Sequence, residues 1–172
     1  MAHLTDAQVA TLRNALLTTT DPALQASVAA RNDTETARLL NLDASPEFWV
    51  YRTRVHKSEF TNGTGPEGTT FSWTGTGFIT RSVGERDAWR ELFGTDGYCD
   101  PSLANVRQAF VDIFSGATAP APANRTHLAA VARKRASAFE RIFATGTGTT
   151  VSPGALVVAG PADIEHVGRA LN

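Results

Sequence analysis

The chain has 172 residues, of which 42% are apolar and 19% charged. That suits one domain with a packed core, burying roughly 70% of its unfolded surface, and excludes wholesale disorder. The 16 Lys and Arg nearly balance the 17 Asp and Glu, for a net charge of −1. This excludes a nucleic-acid binder with a uniformly basic surface, though not a local basic patch. The single cysteine, Cys99, excludes an intrachain disulfide and fits a reducing compartment. The opening residues read as no secretory signal and no apolar run is long enough to span a bilayer, so no membrane contact is expected.

Thr5 and Gln8 form a capping box, with Leu4 and Val9 at the staple positions, and Val9, Leu12 and Leu16 recur at helical spacing. Asp21 before Pro22 predicts a second, short helix to about Arg31. Asp33 is the expected cap of a third helix carrying Ala37, Leu39 and Leu40. From Phe48 to Val55 the β-branched and aromatic content suits a strand, and the proline start suits a helical turn. The reading leans to a brief helical turn followed by extended chain.

Residues 61–80 are rich in Gly and Thr and hold Phe71, Trp73 and Phe78. A long irregular segment inside a compact domain usually serves function or partner contact. The competing reading is that the three aromatics pin the loop to its own domain. Ser82 and Glu85 make a second capping box, and the helix they start carries Trp89, Leu92 and Phe93 on one face and stops at Gly94. Asp100 and Pro101 are expected to open the next helix, with Leu103, Val106, Phe110, Ile113 and Phe114 as its stripe and Gly116 as its end. Residues 117–123, with Pro120 and Pro122, read as an extended linker. Asn124 is the expected cap of the longest helix, 124–144. Residues 145–160 read as extended, and Pro161 with Asp163 starts a last short helix.

Few residues form a recognisable chemical constellation. Residues 63–68 spell GxGxxG, but Pro66 interrupts the motif and no helix pattern follows, so a dinucleotide site is not expected. His3, His56, His127 and His166 have no metal-pair spacing. His127 is expected at the surface of the arginine-rich helix. Cys99 stands beside Asp100, which disfavours a thiolate. Glu85, Asp87 and Glu91 alternate with Arg86 and Arg90 as on a solvated helix face. The reading is therefore no enzyme, no cofactor and no metal.

The most distinctive charge feature is 124–144, where Arg125, Arg133, Lys134, Arg135 and Arg141 stand against Glu140 alone. Such a patch suits an acidic protein partner or passing DNA. A DNA-binding regulator using this helix is an alternative, as is an exposed face with no partner. The segment Leu156, Val157 and Val158 reads as an apolar strand able to add to a neighbour's sheet edge.

The run GERDAWRELF at 84–93, NVRQAF at 105–110 continuing to Gly116, and FATGTGT at 143–149 resemble a small protein encoded among the virion genes of tailed bacteriophages. The resemblance spans roughly 46–172 and is to head–tail connector proteins, the adaptor or head-completion parts. It implies a mainly α, small helical bundle in the virion, made in the bacterial host cytoplasm. It implies a homo-oligomeric ring of about 12 copies beneath the portal protein, linked to nozzle or tail-tube proteins, with non-specific contact to passing DNA. Stoppers and tail terminators share that neighbourhood and are alternatives.

The expected layout is a helical body over 1–144 with a contact loop at about 61–80, and an extended C-terminal arm over 145–172 ending in a short helix. The arm either grips a neighbour or folds back on its own chain. Contact residues expected on this layout are Phe71, Trp73, Phe78, Arg125, Arg133, Lys134, Arg135, Arg141, Leu156, Val157 and Val158. Deleting 145–172 should then leave a folded body that no longer binds the portal.

Overall fold

The computed structural model describes residues 3–74 and 77–172. Its helices, in chain order, are α1 (Asp6–Thr18), α2 (Pro22–Ala29), α3 (Asp33–Leu40), α4 (Lys57–Thr61), α5 (Val83–Glu91), α6 (Ala104–Ile113), α7 (Ala121–Val131), α8 (Ala138–Phe143) and α9 (Ile164–Leu171). Six short strands lie among them: β1 (Trp49–Tyr51), β2 (Val55–His56), β3 (Tyr98–Cys99), β4 (Arg133–Arg135), β5 (Ala144–Thr145) and β6 (Ala155–Leu156). Helix accounts for 48% and sheet for 11%, so the fold is mainly α, as the sequence implies.

The chain divides into two compact units, residues 1–50 with 135–172, and residues 51–134. The expected body at 1–144 thus spans both units, and 145–172 fall within the first. From that segment Val158, Ala162, Val167 and Ala170 join the first unit's core.

In the first unit α1 starts as the capping box requires: Gln8 N–H donates to Thr5 Oγ1, and Thr5 N–H to the Gln8 side chain. The Asp21 carboxylate caps α2 through the N–H groups of Ala23 and Leu24. The cap of α3 is Asn32, one residue before the expected Asp33, and it accepts from Glu35 N–H. Leu12, Leu16, Leu24 and Leu40 then meet Phe139 and Phe143 of α8 and Val167 and Ala170 of α9 in one core. α9 packs on α1 and α3, the fold-back alternative for the C-terminal segment. Asn41 fastens the approach to α9 with both ends of its side-chain amide, donating to Ala162 C=O at 2.9 Å and accepting from Ala162 N–H at 2.8 Å.

β5 and β6 form an antiparallel hairpin, Ala144 opposite Leu156. Its turn lies on residues 48–50: Trp49 N–H donates to Gly148 C=O, and Gly154 N–H to Trp49 C=O. Gly148 has φ +66°, and a Cβ there would fall 2.2 Å from the Phe48 ring. Only glycine allows both the backbone twist and the ring's approach.

In the second unit β2 and β3 pair antiparallel, Val55 opposite Cys99. Residues 47–56 thus hold the strands β1 and β2, and the helical turn, α4, follows them rather than preceding them. The core is aromatic: Phe60, Phe71, Trp89, Phe93, Phe110 and Phe114 are buried with Val55, Leu128 and Val131. Edge-to-face pairs such as Trp89 with Phe93 (4.8 Å, 71°) and Phe60 with Phe110 (5.3 Å, 60°) fill it, an arrangement favoured by ring quadrupoles.

Three expected elements in this stretch are corrected. Asp100 does not open a helix: its carboxylate accepts from Ser102 N–H and Oγ, closing a turn, and α6 starts at Ala104 without a side-chain cap. Leu103 consequently lies outside the stripe, half-exposed. The expected linker 117–123 is already helix from Ala121, with Pro122 in the first turn, where its missing N–H costs nothing. The helix expected over 124–144 is two helices, α7 and α8, separated by β4. Ser137 and Glu140 form a capping box of their own, which starts α8 afresh after the chain has left α7 at Ala132.

Candidate functional site

The Gly/Thr-rich segment belongs wholly to the second unit, and its aromatics divide between two roles. Phe71 is buried, stacked on Trp89 at 5.7 Å and 21°, so it holds its own unit together. Phe78 is half-buried against the same core. Trp73 is 40% exposed. Its indole N–H donates to Thr61 C=O at 3.2 Å, and its ring meets Phe71 and Phe78 edge-on at 5.0 and 5.1 Å. Gly75 and Thr76 of this segment lie outside the described residues.

Two buried polar side chains of α7 hold the segment in place. Asn124, expected as a helix cap, accepts from Ser72 N–H at 2.8 Å and donates to Ser72 C=O at 3.1 Å. His127, expected at the surface, is fully buried. Its Nε2 lies 2.8 Å from Phe60 C=O and its Nδ1 3.0 Å from Thr69 Oγ1. A carbonyl only accepts, so Nε2 carries the proton. Gly65 runs so close that a Cβ would lie 2.5 Å from the imidazole.

The described part of the segment is thus tied to α4 and α7 by side-chain bonds. Ile79, whose N–H donates to Trp73 C=O at 3.2 Å, and Val83 are each more than 60% exposed. The sequence reading overlooked both. Val83 could have been found from its place at the start of α5, off the stripe of Trp89, Leu92 and Phe93.

The five basic residues of 124–144 are not one helix face. Arg125, on α7, donates to Phe114 C=O and, at 2.9 Å, to Gly116 C=O, closing the end of α6. Arg133 reaches Glu67 at 2.6 Å. Lys134 is half-buried on β4. In the other unit Arg135 lies 3.0 Å from Glu47 and 3.6 Å from Asp43, and Arg141 donates to Pro46 C=O at 3.1 Å. The helix break at Ala132 disperses them, and Arg133 and Arg135 meet carboxylates within their own units.

Leu156 is half-buried, Val158 is buried in the first unit's core, and Val157 is exposed. The first unit also bears an open groove of about 640 Å³, floored by Leu16, Leu24, Leu40 and Ile142 and rimmed by Asp21 and Arg141.

The titratable groups are mostly engaged in structure. Burial first, and Asp100 second, push the Cys99 thiol up to about 12, so the thiolate a nucleophile needs is absent at neutral pH. Glu85 is held below the ordinary carboxylate value by the backbone N–H and hydroxyl of Ser82, with Arg81 beside it. For Glu59, desolvation pushes upward, and the Arg52 guanidinium and His56 N–H outweigh it to leave the value lowered. Among the described residues no group of three His, Cys, Asp or Glu side chains could hold a metal ion, and no helix is long and apolar enough to cross a membrane.

No protein-family model, no curated protein and no solved structure matches this chain.

Proposed function

We propose that this chain is a structural part of a tailed-bacteriophage virion: a head–tail adaptor that assembles as a ring beneath the portal and joins it to the tail. Two things support the reading. The first is the resemblance of 84–93, 105–116 and 143–149 to connector proteins. The second, which carries the partner-binding part, is Trp73: half-exposed, its N–H satisfied by Thr61 C=O and its ring braced by Phe71 and Phe78. An aromatic ring held rigid before binding loses little entropy on contact, and tryptophans dominate the energetics of protein interfaces.

The hairpin folded onto residues 48–50 and the packing of α9 on α1 and α3 change which residues the adaptor would use. The gripping surface is the Trp73 and Ile79 region, not a detached C-terminal arm. The exposed Val157 and Val151 on and beside the hairpin supply a second apolar contact on the other unit. The dispersal of the basic residues removes the support for a DNA-binding regulator reading through one helix.

The test is light scattering of the purified chain, alone and mixed with a portal protein. A small species alone that joins a ring-sized complex with the portal, and fails to join it as Trp73→Ala, is the expected result. A chain indifferent to the portal sinks the adaptor reading, and full assembly by Trp73→Ala removes Trp73 from it.

A further inference from the structure

A small pocket in the second unit, distinct from the Trp73 surface, has a chemistry of its own. It measures about 220 Å³ and is lined by Tyr51, Phe110, Val111, Ala129 and Ala132, with Arg107 and Arg125. The floor, Phe110 and Ala132, is buried, and Val111 and Ala129 stand exposed at the mouth. No acidic side chain lines it. Its volume is below the roughly 300–1,000 Å³ of pockets that take drug-sized ligands, which matches it to one apolar side chain.

The two arginines are each anchored by one nitrogen only. Arg107 Nη1 donates to Pro101 C=O at 2.8 Å and Ser102 C=O at 2.6 Å, and its guanidinium lies 4.0 Å over the Tyr51 ring. Arg125 Nη1 donates to Phe114 C=O and Gly116 C=O. Those bonds consume both Nη1 protons and hold the planes still. The Nε and Nη2 edge, the fork that grips a carboxylate side-on, makes no hydrogen bond on either residue among the described residues, and neither guanidinium has a carboxylate in ion-pair range. Elsewhere in this unit Arg52, Arg54, Arg81, Arg90 and Arg133 all face carboxylates. The unit carries 10 Lys and Arg against 8 Asp and Glu, a net of +2, while the rest of the chain carries −3.

We infer that the pocket between α6 and α7 binds the C-terminal residue of a partner polypeptide, its apolar side chain on Phe110 and Ala132 and its free carboxylate on the open edges of Arg107 and Arg125. A chain terminus unites a carboxylate and one apolar side chain in a group of this size, and capture of terminal carboxylates is a recurring mode of recognition. Carboxylate on an apolar body is also what a small aromatic acid offers, so the test separates the two sources.

The probe is a pentapeptide ending in Ser-Phe, labelled at its N-terminus, as free acid and as C-terminal amide, read by fluorescence anisotropy against the full chain. The free acid is expected to bind at least about tenfold more tightly than the amide, because the amide cannot form the charge-assisted pair with the open guanidinium edges. Binding should be lost in Arg107→Gln. It should also be lost in Ala129→Trp, which fills the mouth from an exposed helix position and removes no hydrogen bond, with thermal melting confirming the fold of each. Phenylacetate should displace the peptide only at far higher concentration. Equal binding of acid and amide, binding of neither, or undiminished binding by Ala129→Trp overturns the site. Phenylacetate binding without peptide binding overturns the polypeptide terminus as its occupant.

Discussion

Trp89 is fully buried, and its indole N–H has no hydrogen-bond partner among the described residues. Rings of Phe60, Phe71, Phe93, Phe110 and Phe114 enclose it. Its contribution is therefore packing rather than polar bonding. Trp89→Ala is expected to cost about 3–5 kcal/mol, and Trp89→Phe about half of that or less, because no bond is lost and a ring is kept. Urea unfolding of the two variants checks this; equal losses would mean that the N–H matters. Cys99 gives a second prediction at this scale. With its thiol raised to about 12 by burial and Asp100, native protein at pH 8 should react with iodoacetamide far more slowly than unfolded protein, whose cysteine returns to about 8.5. Mass spectrometry of the alkylated chain with and without urea reads the ratio. Comparable rates would show that the site opens readily.

Helix caps carried most of the legible information about elements. Thr5 with Gln8, Asp21 before Pro22 and Ser82 with Glu85 all start helices where the sequence places them. Ser137 with Glu140 is the same signal and was masked by a longer apolar pattern: Leu128, Val131, Phe139 and Phe143 keep helical spacing across a break. The two halves of that stripe serve different cores, Leu128 and Val131 in one unit, Phe139 and Phe143 in the other. Of the two readings of the C-terminal segment, this chain shows the fold-back one, with α9 burying Val167 and Ala170 against α1 and α3. Removing 161–172 deletes those apolar contacts and the Asn41 clasp on Ala162. The truncated chain should lose the cooperative unfolding of its first unit, seen as reduced helical circular dichroism and rapid proteolysis within residues 3–48. A truncated chain with full helicity would restore the idea of an independent arm.

For the whole molecule, one unit is continuous in sequence and the other is assembled from both ends of the chain. Residues 51–134 contain all of the aromatic core from Phe60 to Phe114, together with the Asn124 and His127 bonds that hold the Gly/Thr-rich segment. Expressed alone, this fragment is expected to keep the near-ultraviolet circular dichroism of packed aromatics; a featureless spectrum would mean that its core needs the remaining residues.

From composition and local pattern alone follow the mainly helical class and the starts of α1, α2 and α5, because each depends on residues within a few positions of one another; for Cys99 only the smaller push from Asp100 is local, the larger one being burial in the folded core. The burial of His127 and the folding back of the hairpin depend on partners 50 or more positions away, the burial of Phe71 on Trp89 and Phe114, and the break between α7 and α8 and the scattering of the basic residues on the two separate cores their stripe serves. The bonds from Asn124 to Ser72 and from Asn41 to Ala162 span 52 and 121 positions. Local spacing carries no trace of such contacts, since they exist only once the chain has folded.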